Sequence, residues 1–200
     1  MNSGKLPDDI YPESGNRLPL PSRDGLDAER KRHYDEIITP GRTMAGLRGP
    51  AGLHLYSPGG PHLSALNHYL RFESGIAPAL REVAILASAR ETDSQFEWTH
   101  HEPAALKEGV PRNVVELIKH RRPVDGLDEE TAIVIRLGRA ILTDHKVPSD
   151  LFAAARKRFG DQRLMDIVLL IQNYAFTAGL LCAFDMQLRP EQEKLLPERT

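Results

Sequence analysis

Cysteine is almost missing from this chain of 200 residues: Cys182 is the only one. A lone thiol forms no intrachain disulfide, no C-x-x-C redox pair and no cysteine-rich zinc site. Its neighbours Leu180, Leu181, Ala183 and Phe184 are apolar, so the sequence reads it as a buried, inert thiol. Net charge is also scarce, since 26 Lys and Arg against 28 Asp and Glu leave −2. That balance gives no pull toward nucleic acid or an anionic membrane. The two basic runs, Arg30-Lys31-Arg32 and Lys119-His120-Arg121-Arg122, read as solvated helix ends. No G-x-S-x-G elbow, G-x-G-x-x-G turn, G-x-x-x-x-G-K-[ST] loop or H-E-x-x-H motif occurs. The reading therefore carries no cofactor and no metal. The first dozen residues lack the basic and apolar regions of a secretory signal, which reads as a cytoplasmic protein. The apolar run at 167–184 holds Gln172, Asn173 and Tyr174 at its centre, and amides are costly in mid-bilayer. A core or oligomer-interface helix explains it better than a membrane span.

What is present is helical. A hydrophobic share of 40% over 200 residues is enough to bury a sizeable core, and β-branched residues form no convincing alternating run. Residues 1–25 are rich in Pro, Ser, Gly and Asp and read as an extended or disordered arm, leaving 26–200 as one domain. Asp27 suits the N-cap of a helix over 28–38. Residues 39–61, dense in Gly and Pro, read as a long loop. Helices are then expected at 62–74, 78–90, 95–108, 111–119, 129–143, 148–160 and 161–188, with Gly109 and Gly160 as stops and Asp128 as a cap.

Chemistry concentrates on the helix beginning at 95. Glu97 and His101 stand four apart and share a face, while Trp98 and Glu102 form a second pair at the same spacing. Fifteen residues before Glu97, Glu82 shares a stripe with Leu86 and Ala89, an apolar setting that would raise a carboxyl pKa if buried. Two acids and an imidazole are the raw material of general acid–base catalysis. A Glu–His pair at this spacing is also common on solvated helices, so the residues alone leave both readings open. Arg71, in Tyr69-Leu70-Arg71-Phe72-Glu73, suits either an anion clamp or a structural ion pair.

Together, Arg81-Glu82-Val83-Ala84-Ile85-Leu86 and Glu97-Trp98-Thr99-His100-His101-Glu102-Pro103-Ala104-Ala105 with Gly109 resemble the carboxymuconolactone decarboxylase family, within the alkyl hydroperoxidase D-like superfamily. The flanks Gly49-Pro50, Tyr56-Ser57-Pro58, Leu70-Arg71-Phe72 and Asn173-Tyr174 agree, so the likeness spans roughly residues 28–188. It implies an all-α, alkyl hydroperoxidase D-like bundle of about seven helices, assembled as a homo-oligomer, trimeric or hexameric. In the peroxidase branch two cysteines precede the His. Here Ser94 and Glu97 occupy those places, and peroxide reduction by thiols needs both sulfurs. The resemblance therefore implies a cofactor-free decarboxylase acting on a small-molecule substrate in aromatic compound catabolism, with His101, Glu97 and Glu82 as catalytic residues. On this reading His101 donates the proton, Glu97 orients it and Glu82 is a second proton carrier. Arg71, Trp98, His54 and Tyr174 are the expected substrate-binding residues.

Overall fold

The computed structural model describes residues 6–197. Among them are eight α-helices and no strand. They are α1 (Ala28–Ile38), α2 (Pro50–His54), α3 (Gly60–His68), α4 (Pro78–Glu91), α5 (Gln95–Lys107), α6 (Arg112–Lys119), α7 (Glu129–Leu142) and α8 (Ser149–Ala183). Contacts divide the chain into two compact units. One holds the described residues up to Leu66 with Leu180–Glu191, and the other holds Asn67–Gly179 with the described residues from Gln192 onward.

In the first unit, Asp27 caps α1 by accepting from the Arg30 N–H at 2.9 Å, as the sequence predicts. The 39–61 stretch is more ordered than the loop expected of it: it folds into a 3-10 turn at Gly46–Arg48, then α2, then the start of α3. Its glycines serve close approach. A Cβ on Gly52 would stand 1.9 Å from the Leu47 carbonyl oxygen, and one on Gly60 would stand 1.9 Å from that of His54. Helix α2 is an addition to the helices expected from the sequence. The described part of the N-terminal arm, residues 6–25, runs through turns and a 3-10 turn at Arg23–Gly25 and is pinned within its unit. The Arg17 N–H donates to the Phe184 carbonyl at 3.0 Å and the Gln187 N–H to that of Gly15 at 2.8 Å, while Ile10 is buried. Cys182 is exposed, which corrects the reading of a buried thiol: Leu181 takes the inward place, and the next residue on a helix points about 100° away.

In the second unit α4 is the central element, with every residue from Arg81 to Glu91 buried. A helix apolar nearly all round needs neighbours on all sides, and α4 packs against α5, α6 and α7. Where α7 crosses, Gly138 brings the backbones close: a Cβ there would meet that of Ala87 at 3.0 Å. The Ser88 hydroxyl donates to the Ile171 carbonyl of α8 at 2.9 Å. Gly160, at φ 73°, breaks α8 into the two helices that the sequence predicts on either side of it. The second part ends at Ala183 rather than near 188. α8 is long and apolar enough to cross a membrane by length and composition, yet half of its most apolar window is buried within the chain. Ile167, Leu170, Ile171 and Tyr174 supply that buried side. Leu70, Ile85, Leu86, Trp98, Ile118, Ile135 and Leu137 complete the core. Burying each such side chain contributes roughly 1.5–3 kcal/mol against leaving it in water.

Candidate active site

Glu82 lies just past the first turn of α4, which Pro78 opens. Glu97 lies in the first turn of α5, where a carboxylate suits the helix dipole, and His101 follows one turn later. Because α4 and α5 pack together, the three side chains converge. His101 Nδ1 stands 2.7 Å from Glu82 Oε2, and its Nε2 stands 3.4 Å from Glu97 Oε2. All three are buried, at 1% exposure for Glu82, 4% for Glu97 and 3% for His101. The solvated alternative left open by the spacing is thereby removed.

An acidic side chain on each ring nitrogen favours the cationic form of the imidazole. Burial alone would lower the His101 pKa, but hydrogen bonds and charges from Glu82 and Glu97 outweigh it and raise it above its ordinary value. Glu82 goes the other way. Burial pushes its pKa up, yet the hydrogen bond and charge of His101, with the charges of Arg71 and Arg81, bring it below the ordinary value. This corrects the expectation of a raised Glu82. The apolar stripe was visible in the sequence, whereas the cation 19 positions away in the chain was not. A carboxylate that stays ionised is a poor proton carrier and a good anchor.

Cations surround the triplet. The Arg81 Nε–H donates to Glu82 Oε1 at 3.3 Å, and another of its N–H groups donates to the Arg71 carbonyl at 2.7 Å. Arg71 lies in a π-helical turn, Tyr69–Glu73, closed by the Ser74 N–H on the Tyr69 carbonyl at 2.8 Å. Such turns recur at functional sites. The Arg71 Nε is buried and meets no hydrogen-bond partner among the described residues. Both guanidinium carbons lie over the Phe72 ring, at 5.0 Å for Arg71 and 5.7 Å for Arg81. Tyr174 from α8 stands edge-on to the His101 ring, with centroids 5.1 Å apart. Burial foremost raises its phenol pKa, so it remains protonated.

Of the residues read from the sequence, the structure thus brings together His101, Glu97, Glu82, Arg71 and Tyr174. Trp98 is elsewhere. One residue beyond Glu97 and so about a quarter-turn round α5, it is fully buried in the core. Its Nε1–H donates to Glu102 Oε2 at 2.5 Å, and Lys119 Nζ sits 2.9 Å from the same carboxylate oxygen. Its indole is thus held by Glu102 and Lys119 within the core. His54 belongs to the first unit, where its Nδ1 lies 3.0 Å from Ser64 Oγ. Among the described residues no cluster of three or more His, Cys, Asp or Glu side chains is arranged to hold a metal.

Residues 61–136 match the model of the Carboxymuconolactone decarboxylase family. The matched segment contains Arg71, Glu82, Glu97 and His101. Among solved structures, the chain is similar to the alkylhydroperoxidase AhpD core of Ralstonia eutropha JMP134, an uncharacterized peroxidase-related protein. That match has 15% identity and a TM-score of 0.70 over 88% of this chain and 94% of the other. The fold is thus the AhpD-like all-α fold that the resemblance implied. No curated protein matches the sequence.

Proposed function

We propose, from the premise that residues 61–136 match the carboxymuconolactone decarboxylase family, that this chain is a cofactor-independent lyase. Its substrate is a small cyclic carboxylate or lactone of the 4-carboxymuconolactone type. The observation that carries this reading is the His101 imidazole set between two buried acidic side chains, Glu82 and Glu97. Loss of CO2 breaks a carbon–carbon bond and sends its electron pair into the conjugated lactone carbonyl, so the reaction needs a cation near that charge and a proton for carbon. Glu82, at 2.7 Å, keeps the Nδ1 proton and positions the ring. The looser 3.4 Å contact leaves the Nε2 proton to be delivered, and Glu97 is placed to restore it. These assignments exchange the orienting and proton-carrying roles first expected of Glu97 and Glu82. The open donor of Arg71 suits the substrate carboxylate, and Tyr174 packs the His101 ring in place. Peroxide reduction, which the neighbour's name suggests, finds Ser94 and Glu97 where its cysteines would be. With this reading go a cytoplasmic location, a role in aromatic compound catabolism and a homo-oligomer, trimeric or hexameric. Met165, Leu169 and Phe176, exposed on α8, support self-association.

The near-complete burial of the triplet favours one second reading. In it, the charges hold α4 to α5 in an oligomeric binding protein that keeps the fold without the reaction. Incubation with 4-carboxymuconolactone and related lactones, read as CO2 release, separates the two. The lyase releases CO2 and loses about 10²–10⁴-fold in kcat/KM on His101→Ala. A folded chain that releases none, or a rate that survives His101→Ala, rejects it.

A further inference from the structure

A second group of polar side chains lies wholly within the first unit, at the meeting of α1, α2 and α3. Ser64 Oγ stands 2.8 Å from His33 Nε2 and 3.0 Å from His54 Nδ1, and His33 Nδ1 faces Glu36 Oε2 at 3.6 Å. A serine inside a helix ordinarily turns its hydroxyl to a carbonyl one turn back or to water; this one lies between two imidazoles. We propose that Ser64 is an activated nucleophile that takes acyl groups from small carboxylic esters, with His33 as its base.

Proton bookkeeping orders the cluster. A carboxylate beside His33 Nδ1 favours the proton there and leaves Nε2 as the lone pair. Ser64 then donates its single hydrogen to His33 Nε2, and His54 donates from Nδ1 to Ser64 Oγ. This leaves His54 Nε2 as a bare lone pair, and that atom is indeed buried without a hydrogen-bond partner. Burial and the neighbouring His33 lower the His54 pKa to about 4, so at neutral pH it carries the one proton this arrangement assigns it. The order acid, imidazole, hydroxyl is that of an acyl-transfer triad, recognised by geometry rather than by sequence position. The His54 N–H, donating to Oγ, fixes the hydroxyl so that its hydrogen points to His33 Nε2. Ser64 is half-buried, which leaves it open to a small ester.

The chemistry balances with an ester and water alone. Oγ attacks the ester carbon, the carbonyl electron pair moves to its oxygen, and the hydroxyl proton passes to His33 Nε2. Collapse breaks the bond to the alcohol, which leaves with that proton. Water, deprotonated by His33, then cleaves the acyl-serine to the acid and restores the hydroxyl.

Diisopropyl fluorophosphate tests this stoichiometrically, with the modified peptide located by mass spectrometry, and p-nitrophenyl acetate tests it by turnover. The proposal expects one phosphoryl group on Ser64, none on that peptide in Ser64→Ala, and labelling about 100-fold slower or more in His33→Gln. Glu36→Gln slows labelling only a few-fold, since Glu36 is largely exposed. Ser64→Cys serves as a second variant: with His33 as base, iodoacetamide modifies the introduced thiol faster than the exposed Cys182. The proposal is overturned if the intact protein stays unlabelled at Ser64, if His33→Gln labels at the same rate, or if the thiol introduced by Ser64→Cys reacts no faster than Cys182.

Discussion

Two buried histidines in this chain, His101 and His54, titrate in opposite directions. Both lose water. His101 gains a carboxylate on each ring nitrogen and is held as a cation. His54 meets a hydroxyl on one nitrogen and nothing on the other, with a further imidazole beyond, and is held neutral. Burial sets how strongly partners count, and the partners set the sign. The same contrast assigns the chemistry: an imidazole whose cation is favoured, with the unpartnered Nε–H of Arg71, suits charge stabilisation and proton donation, whereas a hydroxyl set between two imidazoles suits activation of a nucleophile.

The contrast breaks most severely at Glu82. Glu82→Gln leaves a buried imidazolium with only its weaker partner. Removing one member of a buried ion pair costs about 3–5 kcal/mol, a loss that urea denaturation measures directly. In the surviving fold the His101 pKa falls, because the shorter of its two hydrogen bonds no longer goes to a charge.

Acid sharpens the contrast from the other side. The His54 pKa is depressed, so the unfolded chain takes up this proton first. Its contribution is full above about 6.5 and is lost as pH falls toward about 4, on the order of 3 kcal/mol. His101 behaves oppositely, with stability that is full below about 6.5 and lost as pH rises through its raised folded value. The Glu82 contribution is full above its ordinary value of 4.5 and is lost as pH falls through its lowered one. Denaturation at pH 7 and at pH 4.5 is therefore expected to show a smaller acid loss in His54→Gln than in the parent. An identical loss in both would remove the His54 term.

The smallest effect belongs to Glu97. Its contact with His101 is 3.4 Å against 2.7 Å for Glu82. Glu97→Gln is expected to cost about 1 kcal/mol, the scale of one ordinary hydrogen bond, and to lower the His101 pKa less than Glu82→Gln does. Catalysis reverses this ranking if Glu97 restores the proton, since CO2 release would then fall more than stability does. Equal losses in both would make Glu97 a structural partner only.

Much of this was legible in the sequence because it is local. Asp27 and Asp128 cap their helices as their positions before charged first turns suggest, Gly160 breaks α8, and the four-residue spacing puts Glu97 and His101 on one face. What failed depends on distant neighbours. The direction of the Glu82 shift needs His101 from another helix. The placement of Trp98 needs Lys119 from α6. Glycines 52 and 60 looked like loop residues until the carbonyls they pack against were known. The Ser64 cluster joins residues 10 and 31 positions apart, and no spacing rule announces it.

The central claim is that His101 is a cation near neutrality, and nitrogen-15 histidine spectra recorded across pH 4–9 test it most directly. The account predicts imidazolium shifts for His101 at pH 7, persisting above 6.5, while the His54 ring stays neutral down to about 4. A neutral His101 ring at pH 7 would contradict it, and with it the proton donor on which the proposed reaction depends.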